Sequence, residues 1–275
     1  MISGLNEMQI MMLDMIKWFH SFCLNNNIKY YVVGGTMLGA VRHKGFIPWD
    51  DDIDIGIPRK DYDRLVKDKD LLFKNEKRYF LESYLDENRD FEYPFAKLYD
   101  TQTTLVENCR CHTKRGIYID VFPLDGIGST KEEALLNFSP IQKRVNFLNT
   151  RICEIRKSRK FYKNIAILIA RLIPNFILSN HKLIDNINSL CSKRDFDNSV
   201  YVGNLLGNWA KKEIMPKAYF GEPTLYDFED TKVYGPEDFD NYLRNVYNDW
   251  RKLPPVEKQV SHHDFIYMNL HESYK

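Results

Sequence analysis

Two periods of apolar residues organise this chain. Over residues 5–24, Leu5, Met8, Met12, Met15, Ile16, Phe19 and Cys23 recur at helical spacing. They predict an amphipathic helix with methionine as core filling, stopped by Asn25-Asn26-Asn27. From Asp52 the period drops to two. The run Asp-Ile-Asp-Ile-Gly-Ile alternates, so a strand here sends Ile53, Ile55 and Ile57 into a core and projects Asp52 and Asp54 from the other face. Just upstream, residues 29–33 read as a strand, Gly34-Gly35 as a tight turn, and the apolar run from Thr36 to Val41 as a short helix. Pro58 suits a helix start, continued by Tyr62, Leu65, Val66 and Leu72. Short strand-like runs follow at residues 79–84, 93–99, 103–107 and 116–123, the last ended by Pro123.

Beyond residue 130 the pattern turns helical. Thr130-Lys131-Glu132-Glu133 fits a capping box, and Ser139-Pro140 marks a further helix start. Ile184, Ile187, Leu190 and Cys191 predict a helix over 181–191. Phe239, Tyr242, Leu243, Val246, Tyr247 and Trp250 predict another, stopped by Pro254-Pro255. Residues 143–171 hold nine Lys or Arg against one acid, Glu154, and run into the apolar stretch 165–173. Such a segment either lies on an anionic membrane surface or buries its apolar face and solvates its basic one.

Composition narrows the classes. A length of 275 residues allows one large domain or two small ones, and a net charge of +1 gives no basic footprint for nucleic acid. Five scattered cysteines favour a reducing compartment over a disulfide framework. Cys109-Arg110-Cys111-His112 has no second pair at zinc spacing and does not make a zinc site. With Glu7 ahead of any apolar run there is no signal-peptide pattern, and no apolar stretch is long enough to span a bilayer. The expected location is the cytoplasm, peripheral on the inner face of the membrane.

The chemistry concentrates in residues 32–57. Two carboxylates on one strand face repel each other and are costly to desolvate without a cation, for which a hard divalent metal is the simplest partner. An EF-hand from Asp50 is excluded: its sixth and twelfth positions would be Ile55 and Asp61, and Pro58 interrupts it. The Gly34-Gly35 turn ahead of a helix offers backbone N–H groups to a phosphate, and Arg42-His43-Lys44 follows directly. Asp120, alone in the apolar run 116–123, becomes a third metal ligand if that strand lies beside Asp54. Otherwise it caps a loop or pairs with Arg115.

The stretch GGTMLGAVRHKGFIPWDDDIDIG resembles the signature of the LicD family of phosphocholine transferases, which includes the fukutin-type sugar-phosphate transferases. The likeness continues through FAKLYDTQTTLVE, RGIYIDVFPLDG and DFDNYLRNVYNDWRKLPPVEK. It is weakest around residues 150–180, and Asn248 stands where the family tail usually has glycine. The resemblance implies an α+β fold: a nucleotidyltransferase-like mixed sheet flanked by helices. It implies one domain over 1–275, with its core at 28–125, a basic helical segment at 130–195 and a completing segment at 200–275. It further implies transfer of phosphocholine or a related phospho-alcohol from a CDP-linked donor, with CDP-choline favoured, to a glycan or lipid-linked glycan hydroxyl. Asp52, Asp54 and Asp120 would then be catalytic and hold Mg²⁺ or Mn²⁺. Gly34, Gly35, Thr36, Arg42, His43, Lys44, Trp49, Lys97 and Arg115 would serve the substrates, Trp49 by packing or by stacking on a base. His262-His263 could reach the site from the tail. The rival functions are nucleotide transfer from a nucleoside triphosphate to a small acceptor, and a non-catalytic glycan- or membrane-binding module.

Overall fold

The computed structural model describes residues 5–86, 91–110, 113–157, 159–174, 177–261, 263 and 265–275. In chain order the elements are α1 (Glu7–Asn25), β1 (Tyr31–Val32), α2 (Gly34–Arg42), β2 (Asp54–Pro58), α3 (Arg59–Lys67), α4 (Lys69–Leu72), β3 (Tyr79–Glu82), β4 (Ala96–Asp100), β5 (Thr104–Glu107), β6 (Lys114–Arg115) and β7 (Tyr118–Gly128). There follow α5 (Lys131–Ile152), α6 (Phe161–Arg171), α7 (Asn180–Cys191), β8 (Tyr201–Gly203), β9 (Ile214–Pro216), β10 (Thr224–Phe228), β11 (Thr231–Gly235), α8 (Phe239–Tyr247) and β12 (Phe265–Asn269). This is the mixed α+β architecture that the family resemblance implies, built from elements that the periodicities predict. Cys111, His112 and His262 lie outside the described residues.

The central sheet runs β1-β2-β7-β4-β3, with β8 and β9 added along the far half of β7. Only β2 and β7 pair in parallel. The isoleucine alternation reads as expected: Ile53, Ile55 and Ile57 are fully buried in the main core, with Ile119 and Val121 of β7. α1 and α3 pack against this sheet, while α5 and α7 enclose a second apolar cluster with Phe122 and Ile127. A buried pair joins the two clusters. Arg59, at the start of α3, donates from Nε and one Nη to the two Asp125 oxygens of β7, both at 2.7 Å, and a third N–H reaches Asn188 of α7 at 3.4 Å.

Several expectations are corrected, and one of the two readings of the basic segment is excluded. Helix α2 begins at Gly34 rather than Thr36, and the strand ladder begins at Asp54, leaving Asp52 on the loop that enters it. Strand β7 does not end at Pro123. On that side the neighbour changes from β4, last paired at Val121, to β8, first paired at Asp125, so Pro123 sits where no ladder bond is owed. Ser139-Pro140 starts no helix: Pro140 lies inside the 22-residue α5, and the turn whose bond it breaks carries the exposed Leu136. Finally, α6 does not bury its apolar face. Only Ile167 and Ala170 are buried, whereas Phe161 is 79% and Leu172 77% exposed, and Ile165, Leu168 and Ile169 are also exposed. Among the described residues no helix is long and apolar enough to cross a membrane.

Candidate active site

A polar row crosses the main sheet. Asp54 on β2 stands opposite Asp120 on β7, Asp120 opposite Lys97 on β4, and Lys97 opposite Glu82 on β3. Cross-strand partners point to the same face, so the sequence's condition for Asp120 is met. The loop 50–52 brings Asp50, Asp51 and Asp52 alongside, with one oxygen from each within 4.8 Å of the others. Asp50, Asp52, Asp54 and Asp120 all line a cleft of about 1020 Å³. Its walls include Gly34, Gly35, Arg42, Trp49, Glu213, Tyr247, Lys258 and His263.

The Gly-Gly turn makes room for these acids. A Cβ on Gly34 would stand 2.8 Å from Asp54 Oδ2, and Gly34 has φ +55°, which side chains rarely adopt. A Cβ on Gly35 would stand 2.8 Å from Asp50 Oδ2. The Gly34 N–H donates to the Tyr242 hydroxyl of α8 at 2.9 Å, and the Thr36 hydroxyl accepts from the Asp54 N–H at 2.8 Å. Both therefore serve the frame around the carboxylates. Gln9 of α1 braces the same loop by donating to the Asp50 carbonyl at 3.0 Å.

The other sequence candidates divide. Arg42 lines the cleft, but its guanidinium donates to the carbonyls of Trp250 at 2.9 Å and Lys252 at 3.3 Å. Trp49 lines the cleft with the His43 ring edge-on at 6.3 Å, and Lys44 is exposed outside it. Lys97 is fully enclosed. Its ammonium stands 3.3 Å from Asp120 Oδ1 and 3.4 Å from Glu107 Oε1, between the rings of Tyr118 and Tyr93. Arg115 pairs with Glu82, not with Asp120, through bonds of 2.5 and 3.2 Å.

Negative charge is crowded around the aspartates. Burial pushes the Asp54 carboxyl well above the ordinary range, and the neighbouring Asp52, Asp120 and Asp50 push it further. Asp50 is driven up to about 8 by burial and by Asp52, while burial raises Asp120 to about 6 against the pull of Lys97. Asp120 Oδ1 has no hydrogen-bond partner among the described residues, Lys97 standing near it but off bonding geometry. Crowded, desolvated carboxylates with one orphaned oxygen fit a hard divalent cation.

Sequence reasoning missed Asp50, Glu107 and Glu213, and gave His263 little weight. His263 Nδ1 lies 2.8 Å from Asp51 Oδ1, and Nε2 lies 3.7 Å from Asp52 Oδ2. Although burial opposes it, the bond to Asp51 and the charges of Asp52 and Asp51 raise the imidazole to about 9. A raised histidine stabilises the fold fully below its unfolded pKa of about 6.5, and that contribution is lost as pH rises through about 9. In chelator-treated protein, the melting temperature of His263→Gln should fall well below wild type at pH 6 and converge with it by pH 10. A constant gap across that range would dismiss the charged pair.

Comparison with known proteins adds a family. Residues 27–151 match the family model described as LicD/FKTN/FKRP, nucleotidyltransferase domain. The chain is 31% identical over 265 residues to the lipopolysaccharide cholinephosphotransferase LicD of Haemophilus influenzae, covering 94% of this chain and 96% of that protein. An uncharacterised protein of Rickettsia prowazekii is 50% identical over 60 residues, 22% of each chain. Human ribitol 5-phosphate transferase FKRP is 50% identical over 34 residues, 12% of this chain and 7% of that one. Similarity across nearly the whole of one relative makes this chain a member of the LicD family.

Proposed function

We propose that this protein transfers phosphocholine from a CDP-linked donor, CDP-choline in the first instance, to a hydroxyl of a cell-surface glycan. Lipopolysaccharide is the acceptor class that its Haemophilus relative's name suggests. The observation that carries this reading is the cleft, in which four carboxylates face the Gly-Gly turn and the cations Arg42, Lys252 and Lys258. Asp52, Asp54 and Asp120 are the residues that would hold Mg²⁺ or Mn²⁺, with Asp50 as a further oxygen beside Asp52. When bound, such an ion neutralises the diphosphate and the departing nucleotide phosphate. Asp120, whose Oδ1 has the Lys97 ammonium beside it at 3.3 Å but no hydrogen bond among the described residues, accepts the hydrogen bond of the acceptor hydroxyl and then its proton as that oxygen joins phosphorus. The bond from phosphorus to the bridging oxygen breaks, and CMP leaves. Arg42, released from the tail carbonyls, turns to the donor phosphates, whereas Lys97 fixes Asp120 from behind and Arg115 fixes Glu82.

The test is a product analysis. Protein, Mg²⁺, CDP-choline and envelope glycan precursors are incubated, and CMP release is followed by chromatography. CMP appearing together with choline on the glycan is the expected result. Pyrophosphate released from a nucleoside triphosphate, with no CMP from CDP-choline, would replace this reading by nucleotide transfer.

We also propose that α6 places the enzyme on an anionic membrane face. Its exposed Phe161, Leu168, Ile169 and Leu172 adjoin the exposed Lys157, Lys160 and Lys163, and no acid occurs between Glu154 and Asp185. Each cation near such a surface contributes on the order of 1 kcal/mol, weakened by salt. Binding to anionic but not neutral vesicles is expected, reduced by salt and by Lys→Gln at 157, 160 and 163. Equal binding to both vesicle types would remove the proposal.

A further inference from the structure

One wall of the cleft is built from the turn 204–213 and helix α8. Trp209 and Tyr247 meet there at right angles, their ring centroids 4.8 Å apart and their planes at 74°. Trp209 is 42% exposed, and both rings line the cleft. Beneath them is Glu213, a buried acid in the same wall. Its carboxylate accepts the backbone N–H of Trp209 at 3.0 Å and a bond from the Asn204 side chain, neither of them a cation. Gly207 lets the loop close over it, since a Cβ there would stand 2.0 Å from Glu213 Oε1. Helix α8 ties this wall to the Gly-Gly turn. Tyr242 takes the Gly34 N–H, and one turn later Asn245 donates to the carbonyls of Lys212 and Ile214 on either side of Glu213, at 2.6 and 3.1 Å.

We propose that Trp209, Tyr247 and Glu213 form the subsite that binds the cationic head group of the donor, a quaternary ammonium. Two perpendicular aromatic faces suit a diffuse cation that cannot donate hydrogen bonds, and a carboxylate just behind them supplies the counter-charge. The Trp209 ring already draws an ammonium, Lys212 Nζ, to 5.4 Å from its centroid. Burial leaves Glu213 near 8 without a cation, so an ammonium beside it would draw out its charge. A polyol head group would gain nothing from these faces. The subsite thus selects choline over glycerol or ribitol, a choice resting on the transfer reading above.

The test separates the head group from the nucleotide. CDP-choline, CDP-glycerol, CMP and phosphocholine are titrated calorimetrically into the wild-type chain, Trp209→Leu and the isosteric Glu213→Gln. Wild type is expected to prefer CDP-choline over CDP-glycerol. Each variant should weaken CDP-choline and phosphocholine on the order of tenfold to thirtyfold, with CMP changed less than twofold and melting temperature retained. Variants that keep the choline preference, or that weaken CMP in parallel, overturn the subsite. Phosphocholine binding that depends on Trp209, without binding of any cytidine compound, keeps the subsite and overturns the CDP donor.

Discussion

Asp54→Asn is expected to lower CMP release on the order of 10³-fold while making the metal-free chain more stable. The two effects share one cause. Asp54 is buried among Asp52, Asp120 and Asp50, so its carboxyl is raised well above the ordinary range when no cation is present. An acid whose folded pKa is raised destabilises the native state increasingly as pH climbs above its unfolded value of about 3.8. The amide removes that penalty. In chelator-treated buffer the variant should therefore melt above wild type at pH 7, and the gap should close towards pH 4. Added Mg²⁺ should raise the wild-type melting temperature and leave that of the variant nearly unmoved. A variant that releases CMP like wild type, or gains no stability at pH 7 in chelator, would remove Asp54 from the cation-holding set.

The largest effect on stability is expected at Arg59 and Asp125. Each Asp125 oxygen accepts one guanidinium bond at 2.7 Å, and the Asp125 side chain is fully buried. Removing Arg59 leaves the Asp125 charge without its buried partner, and removing Asp125 leaves Arg59 only the more distant Asp63 at 3.6 Å. Arg59→Leu or Asp125→Asn should each cost about 3–5 kcal/mol in urea unfolding. The double variant, free of any lone buried charge, should recover a good part of that loss. Single-variant losses under 1 kcal/mol would mean that water reaches the pair.

The sequence shows part of this plan plainly. The alternation after Asp52 identifies a strand because a period of two has one structural cause, and burial of Ile53, Ile55 and Ile57 follows from it. Asn248 ends α8 with φ 60° and ψ −108°, a conformation that the family's glycine adopts freely and that strains an asparagine. Asp120 is conditional in the sequence, since nothing local says that β7 runs beside β2. Glu213 and Asp125 carry no local signal at all. Each becomes a site or core residue only through partners far away in the chain, Asp125 through Arg59 at a separation of 66 residues. Lys97, expected to serve the substrates, shows its enclosure by Glu107 and Asp120 only in the fold, because nothing local in the sequence brings those two acids to it. The basic helical segment is undecided in the sequence, since its composition suits a covered helix as well as an uncovered one.

The brace on the aspartate loop has a consequence for the order in which the molecule is made. Gln9 holds that loop from before it, and His263 holds it at a separation of 212 residues. A ribosome-bound chain can fold α1, the Gly-Gly turn and the β2–β7 pair long before the imidazole has been synthesised. During that interval Asp51 has no histidine to neutralise it, and the loop's three acids repel one another unrestrained. The latched geometry of this loop is therefore a late event of biosynthesis, and a nascent chain arrested between β9 and residue 263 should carry the central sheet with the loop unlatched.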